Sequence, residues 1–583
     1  MLALAVVLVV AGALRLYHLD RWLPYCFEEA TPVTRARGFW GPSDGSFDFD
    51  PHFYNYPALA FYLHFLTQAV VLVVGYVSGL VASVDEFRRL LVVRWPAFLL
   101  LARGVTVAMD LCAVWAASRL SRVFCNDPAG GKAGPLGVAI AALVAFNALH
   151  ARLTQRVMVD IPLTFLVLLA LHRLVLVLQR NTMRAYLAAG ACIGLATATK
   201  YTAALLVVPL LAVSAHHLVR GTSRRTVALG TAASLATAAA IFLVCNPYCL
   251  LEAGEFIGDI RLESTHMEVG HFGHDLGTGT AAFYVAALWQ ATGIVGLAAI
   301  GACLSAVRQR DGAAGLLILW IFVYLTVVAT WEMRADGYLL PVVAPILILG
   351  CRLLLGPALS VFRPRWRAGV LFVVFLLYLA PQAHALRGHY DRVSRPHTQV
   401  QLLKWFPSAI PAPSLIALEV YTLPPEALHA YGTVRLRLDT VDPQRHSCFY
   451  DLGLYQDFDY IIISSGAYQR YVDRAEEFPV QCRFYDELSR SWEIVRRFDP
   501  EPAVGPTILV FRNPTPERPD GPFNAERLRR LDGARAQCIL QFLERLRGLL
   551  DARGLRHRAE SVQGFIERVE AFEAKQQQES RRR

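Results

Sequence analysis

The sequence predicts a mainly α-helical, polytopic membrane protein followed by a small extracytoplasmic α/β domain and a C-terminal helical hairpin. Of its 583 residues, 55% are hydrophobic and only 18% are charged, and the mean hydropathy is +0.38. A chain of this composition is too apolar to form several water-soluble domains. Segments apolar enough to cross a hydrocarbon layer about 30 Å thick recur up to about residue 384 and then stop. The predicted domains are therefore 1–384, 385–515 and 525–575.

The charge of the connecting segments predicts the topology. Connections rich in arginine occur at 119–132, 173–184, 220–225, 308–310 and 352–367. The positive-inside rule places these five in the cytoplasm. The formal net charge of +10 is explained by such connections, so it does not indicate nucleic acid as a partner.

The remaining connections, 19–57, 147–160, 246–280 and 331–337, are then predicted to lie outside, with everything after residue 384. For a bacterial chain this is the outer side of the plasma (inner) membrane. Residues 58–118 begin outside and end inside but contain two apolar segments, which requires one or three crossings. The predicted total is 11 or 13 transmembrane helices. The apolar run Met1–Leu14 lacks a preceding basic region and a convincing cleavage site, so we expect it to be retained as the first helix.

The part after residue 384 contains two kinds of pattern. Short runs of β-forming residues at 414–419, 459–465 and 507–512 are bounded by Pro, Asp and Gly, which predicts strands of a small α/β domain. From about residue 525 onward, apolar residues recur at helical spacing. If this part is extracytoplasmic, Cys448 and Cys482 could form a disulfide.

Three places on the predicted outer side carry charges next to apolar segments. Glu28 and Glu29 follow the first helix, Asp160 stands where a helix begins, and Lys200 lies at the outer end of another helix. Taken singly, each has a simple explanation: a solvated loop, a helix N-cap beside Pro162, and a lysine that snorkels to the interface. Together, on one side and with opposite charges available, they favour a functional site.

Two further segments contain candidate ligand-binding residues. Residues 261–275 hold His266, His271 and His274 with three carboxylates. They either bind a divalent metal or form a polar cover whose histidines bind phosphate or water. The stretch DPHFYNYPALAFYL contains Tyr54 and Tyr56, whose rings either stack on a sugar and line a lipid groove or belong to the aromatic belt at the membrane surface.

Several stretches, in this order, resemble the family 39 glycosyltransferases. This group includes the protein O-mannosyltransferases and the lipid A aminoarabinose transferases, which have the GT-C membrane fold. The resemblance covers most of residues 1–384 and rests on LRLYHLDRWLPYCFEEA, DPHFYNYPALAFYL, LHARLTQRVMVDIPLTF, GLATATKYTAALLVVPLL, NPYCLLEAGEF, HMEVGHFGHD and GYLLPVVAPILIL.

The resemblance implies roles for individual residues. In the family an Asp-Glu pair follows the first helix, and its Asp is the proposed base; this chain has Glu28-Glu29, whose first side chain is longer by one methylene. Asp160 matches the second acidic residue of the site, and Lys200 matches a lysine near the donor phosphate. A basic residue often precedes the Tyr of the last stretch. This chain has Gly337 there, and Arg334 is the nearest substitute.

The same resemblance implies the function. We expect an inverting transferase that moves a hexose or pentose from a polyprenyl-phosphate donor to an extracytoplasmic protein, glycan or lipid acceptor. The substrate side would include His52, Tyr54, Tyr56 and Tyr201 together with the histidines of 261–275. The only cofactor expected is a divalent metal, if any. The alternatives are a transporter or flippase of lipid-linked sugars and a family member without catalysis.

Overall fold

The computed structural model describes residues 2–23, 30–41, 45–124, 135–273, 279–355 and 363–514, except for a few positions between 413 and 457, together with parts of 540–570. These residues form two compact units. The membrane unit is drawn from 1–21, 28–270 and 276–394, and the second unit from 22–27, 271–275 and 395–583. Glu28, Glu29 and His274 lie outside the described residues.

The membrane unit is built from helices. In chain order they are α1 (Leu2–Leu16), α2 (Ala30–Gly38), α3 (Leu59–Val77), α4 (Val84–Val93), α5 (Trp95–Ser121), α6 (Pro135–Ala145), α7 (Ala148–Thr154), α8 (Asp160–Arg180), α9 (Met183–Thr197), α10 (Val207–Val219), α11 (Arg224–Cys245), α12 (Tyr248–Leu251), α13 (Ala253–Val269), α14 (Thr280–Gln309), α15 (Gly312–Val328), α16 (Leu340–Leu353) and α17 (Pro364–Val393). Two short 3-10 turns, Tyr201–Leu206 and Asp336–Leu339, lead into α10 and α16.

Many of these helices are long and apolar enough to cross a membrane. Within the described part of the chain there are eight such helices, or nine if α6 and α7, bent by 57° at residues 146–147, form one span. Three shorter apolar helices, α1, α9 and α15, accompany them. The multi-pass fold predicted from the sequence is therefore confirmed, and the total of 11 or 13 crossings stays a prediction.

Helices occur in two segments that the hydropathy pattern did not assign to them: residues 58–118, whose number of crossings it left open, and residues 246–280, which it predicted as an outer connection. Residues 58–118 contain the short α4 between α3 and α5; its Phe87 and Leu91 are buried in a cluster with Trp40 and Phe98. The segment 246–280, expected as a connection, forms α12 and α13. Hydropathy marks α13 as a connection because charged residues interrupt its apolar ones and no single apolar face results, but a mixed composition does not prevent a helix.

Helix α8 lies in the core of the membrane unit, against α5 and α9. Small residues bring α9 and α11 together: a Cβ atom at Gly190 would stand 2.2 Å from the carbonyl oxygen of Ser234, so only glycine fits. Such close backbone approach is the usual way in which helices associate in lipid. The buried ion pair of Arg15 with Asp110, extended by His150 at 2.9 Å from Asp110, joins α1 and α5 to α7.

The second unit contains a five-stranded sheet. Its strands are β1 (Leu415–Glu419), β2 (Gly432–Leu436), β3 (Tyr460–Ser464), β4 (Glu493–Phe498) and β5 (Ile508–Arg512), in the order β2-β1-β3-β5-β4. β1 is parallel to β2 and β3, whereas β5 is antiparallel to β3 and β4. The unit also has helices α18 (Thr398–Ala409), α19 (Ser465–Val472) and α20 (Pro479–Ser491).

The three predicted strands are confirmed as β1, β3 and β5. The prediction missed β2 and β4, which are the two edges of the sheet. β4, with the sequence EIVRRF, is mostly exposed and alternates little, so its pattern is weak. In the tail, the described residues near 542–548 and 562–570 are helical, and Phe542, Leu546 and Ile566 are buried in the second unit. Cys482 is a free thiol, so it does not pair with Cys448, which forms its disulfide elsewhere.

Candidate active site

An ion pair lies at the centre of the candidate site. Asp160 is the first residue of α8, and Lys200 follows the end of α9, so α8 and α9, which pack together, bring two residues 40 positions apart into contact. The Lys200 Nζ atom is 2.8 Å from Asp160 Oδ1, and the two side chains are only 11% and 6% exposed. The carboxylate stands at a helix N-terminus and the ammonium near a helix C-terminus, which is the favourable arrangement for each.

Tyrosine rings surround the ammonium group. Lys200 Nζ lies 4.3 Å from the centre of the Tyr338 ring, within the range of a cation–π contact. Tyr56 and Tyr324 interact electrostatically with both members of the ion pair. Beside Tyr338, the backbone of Gly337 approaches Asp160 so closely that a Cβ atom there would be 4.0 Å from the carboxylate carbon. The walls of the site therefore come from three distant parts of the chain.

Helix α13 holds the aromatic stretch next to this pair. The Asp259 carboxylate accepts a hydrogen bond of 2.8 Å from the Tyr54 backbone N–H, and Glu263 accepts one of 2.9 Å from the Asn55 side chain. The hydroxyl of Tyr201, the residue after Lys200, donates to the Tyr54 carbonyl at 2.8 Å. These three bonds fix residues 54 and 55 between α13 and the 3-10 turn that leads into α10.

Glu263 is a half-buried acid that stays ionised. Burial acts to raise its pKa, but hydrogen bonds from His266 and Asn55, with the charge of Lys200 in addition, outweigh burial and hold the pKa below its ordinary value. The His266 Nδ1 atom lies 3.9 Å from the Glu263 carboxylate. A second carboxylate thus faces the Lys200 side of the site.

The other predicted residues occupy different places. His52 is exposed and bonds to Asp48 at 2.9 Å, a contact that raises the pKa of His52. Arg334 pairs with Glu332 at 2.8 Å, in a turn whose Glu332 and Met333 N–H groups both donate to the Met267 carbonyl at the end of α13. His271 belongs to the second unit.

A metal site is not built by the described residues. No group of three or more His, Cys, Asp or Glu side chains that could hold a metal ion occurs among them. From the predicted cluster at 261–275, Glu263 and His266 are adjacent, and His274 and Asp275 are not described.

Sequence reasoning missed four residues of this site: Asn55, Asp259, Tyr324 and the ring of Tyr338. One signal was available, because Asp259 and Glu263 are four positions apart and fall on one face if the segment is a helix. No comparable sequence signal marked Asn55, Tyr324 or Tyr338. Tyr324 lies within an apolar span, where a single tyrosine does not stand out.

Comparisons with known proteins agree with this architecture. Residues 72–250 match the family described as dolichyl-phosphate-mannose-protein mannosyltransferase. The apo oligosaccharyltransferase of Archaeoglobus fulgidus has the same fold, with a TM-score of 0.52 and 12% identity, over 89% of this chain and 75% of that one. The same archaeal protein, AglB, in complex with an inhibitory peptide and a dolichol-phosphate gives a TM-score of 0.51 at 12% identity and the same coverage.

ArnT from Cupriavidus metallidurans bound to undecaprenyl phosphate gives a TM-score of 0.48 at 16% identity, over 89% of this chain and 99% of that one. No curated protein sequence matches the chain. The family match, the helical architecture and the charged site at the helix ends lead to one conclusion. The resemblance predicted from the sequence is confirmed over residues 72–250, and the chain is a polytopic membrane protein with the fold of the archaeal oligosaccharyltransferase.

Proposed function

We propose that the chain transfers a hexose or pentose from a polyprenyl-phosphate carrier to an acceptor on the extracytoplasmic side, with inversion at the anomeric carbon. The observation that carries this proposal is the buried ion pair of Asp160 and Lys200. A transferase of this kind needs a cation for the leaving phosphate and a carboxylate near the acceptor, and the pair supplies both within one site.

The chemistry assigns a role to each charge. The bond from the anomeric carbon to the phosphate oxygen breaks, and the phosphate leaves with the electron pair and one additional negative charge. The acceptor oxygen bonds to the same carbon from the opposite face and gives its proton to a carboxylate. Lys200 stabilises the phosphate, and in a site with little water such a fixed cation is far more effective than in bulk solvent.

The donor phosphate has to compete with Asp160 for Lys200. Without donor, the Lys200 ammonium is neutralised by Asp160 at 2.8 Å. A donor phosphate that binds Lys200 weakens this pair, and Asp160 then becomes available to orient or deprotonate the acceptor. The Tyr338 ring covers another side of the ammonium and keeps water away from it. Lys200 thereby couples donor binding to the release of the Asp160 carboxylate from its ion pair.

For the base we propose Glu28 or Glu29, with Asp160 as the second acid. This assignment rests on the resemblance to the family, in which an acidic pair follows the first helix. Arg334 is proposed as a second cation for the donor phosphate on the same ground. The residues proposed to form the substrate side are His52, Tyr54, Tyr56, Tyr201 and His266, which the anchoring of residues 54 and 55 by α13 and Tyr201 supports.

The proposed orientation places the site and the second unit outside the plasma membrane. The disulfide formed by Cys448 supports an oxidising environment for the second unit. The arginine-rich connections support a cytoplasmic position for the opposite helix ends. The proposed acceptor is a glycan, a lipid or a protein hydroxyl.

A screen of the purified chain against a panel of polyprenyl-phosphate sugars tests this proposal. Turnover of the lipid-linked sugar is expected for the wild type, and a loss of roughly 10²-fold or more is expected for Asp160→Asn and Lys200→Ala. Glu28→Gln and Glu29→Gln identify the base. Lys404→Ala, an exposed lysine of the second unit, is the matched control. Unchanged turnover by all four site variants would remove the assignment.

A further inference from the structure

A cleft of about 450 Å³ opens in the membrane unit beside the candidate site. Its walls come from α7, α14, α17 and the turn Asp336–Leu339. Gln382, only 2% exposed, fixes these walls, since its side chain accepts from the Ala148 N–H at 2.9 Å and donates to the Gln290 carbonyl at 2.7 Å. The cleft is therefore held by polar contacts between three helices and is a built feature of the unit.

The lining of the cleft is basic. Arg152, Arg392, His384 and His389 line it, and among the described lining residues Asp336 is the one acid, already paired with Arg152. No described side chain forms an ion pair with Arg392. His389 interacts electrostatically with four arginines, Arg21, Arg152, Arg156 and Arg392. With Arg152 paired to Asp336, Arg392 gives the lining a net positive charge, and a positive charge in a concave place favours an anion.

The cleft adjoins the ion pair through three consecutive residues. Asp336 lines the cleft, Gly337 lies beside Asp160, where an added Cβ atom would be 4.0 Å from the carboxylate, and the ring of Tyr338 covers Lys200. A group bound in the cleft is thus separated from the proposed reacting atoms by one turn of chain. Lys200 is not among the residues that line the cleft, so the cleft has its own cations.

We propose that this cleft is a second anion site, distinct from the donor site at Lys200, and that it binds a phosphate group carried by the acceptor. Arginine is suited to this role because its planar guanidinium binds two phosphate oxygens at once. Phosphate binding in this cleft does not depend on the proposed function, whereas the assignment of the phosphate to the acceptor rests on it. The phosphate belongs either to a lipid headgroup or to a free phosphorylated molecule.

Calorimetric titration of the full-length chain in detergent tests this proposal with three probes: inorganic phosphate, dihexanoyl phosphatidic acid and farnesyl phosphate. Arg392→Gln is expected to weaken phosphatidic acid binding roughly tenfold, the effect of one charge-assisted contact. His384→Ala, on the same helix, is expected to weaken it in the same direction. Arg387→Gln is the matched control, because Arg387 lies on α17 with 85% of its side chain exposed.

The outcomes separate the two proposals. Equal binding of inorganic phosphate and phosphatidic acid supports a free phosphorylated ligand, and preference for the lipid supports a headgroup. Unchanged phosphatidic acid binding in both Arg392→Gln and His384→Ala, or an equal loss in Arg387→Gln, overturns the second site. Farnesyl phosphate should depend on Lys200, so a Lys200→Ala variant that binds it normally contradicts the donor site and leaves the cleft untouched.

Discussion

Replacement of Lys200 by Met separates the proposed catalytic role of the ion pair from its structural role. Methionine retains an unbranched chain of similar length but removes the cation. We expect transfer to fall by roughly 10²–10³-fold, the cost of losing one fixed electrostatic contact to the leaving group. Asp160, only 6% exposed, would then be a buried carboxylate without its partner. Such a change destabilises a protein by about 3–5 kcal/mol.

The double variant Asp160→Asn/Lys200→Met gives the sharper result. Neither position then carries a buried charge, so the free energy of unfolding should return to within about 1–2 kcal/mol of the wild type. Transfer should stay as low as in Lys200→Met, because the cation for the phosphate is still missing. In this variant stability should therefore recover while the transfer rate stays low.

Two measurements are needed on the same preparations. Denaturant unfolding in detergent, followed by tryptophan fluorescence, gives the change in stability. Release of polyprenyl phosphate from a lipid-linked sugar gives the transfer rate. Lys404→Met, a substitution of the same chemistry at an exposed position of the second unit, controls for the loss of a lysine.

Two results would refute this reasoning. Transfer by Lys200→Met within a few-fold of the wild type would show that the ammonium does not stabilise the leaving group. A double variant as unstable as the single variant would show that the unpaired Asp160 charge is not what destabilises Lys200→Met.

Three further predictions concern other parts of the chain. Burial raises the pKa of Glu419 to about 8 from an ordinary value of 4.5. The contribution of Glu419 to the free energy of unfolding is therefore fully present below pH 4.5 and is lost as the pH rises through 8. Glu419→Gln, which mimics the protonated acid, should flatten this pH dependence in unfolding measured from pH 5 to 8. Asn55→Ala and Glu263→Ala each break the bond that anchors residue 55; both should lower kcat/KM, and the double variant should be no worse than the poorer single one, whereas additive losses would exclude a shared role. Gly337→Ala should retain near-normal transfer, because its Cβ would lie 3.4 Å from Leu153, which is an ordinary contact. Gly337→Leu should reduce transfer, because the larger side chain displaces the turn. Equal transfer by the two variants would contradict the close packing at Gly337.

The sequence predicted those features that depend on neighbouring residues. Membrane spans follow from the local density of apolar residues, and β1, β3 and β5 follow from short runs of β-forming residues. Asp160 and Lys200 stood out as candidates because charge beside apolar segments is costly and therefore rare. The edge strand β4 and the helix α13 were missed, since exposed elements have no apolar pattern that distinguishes them from a loop.

By itself, then, the sequence determined the membrane character, the family resemblance and the choice of charged residues. Only the tertiary structure decided that Lys200 pairs with Asp160, that Tyr338 covers it and that Glu263 holds Asn55 across 208 positions of the chain. The physical reason is that composition and periodicity act over a few residues. Contacts between distant side chains depend instead on how whole helices pack, and that packing is set by small residues such as Gly190 and by many apolar contacts acting together.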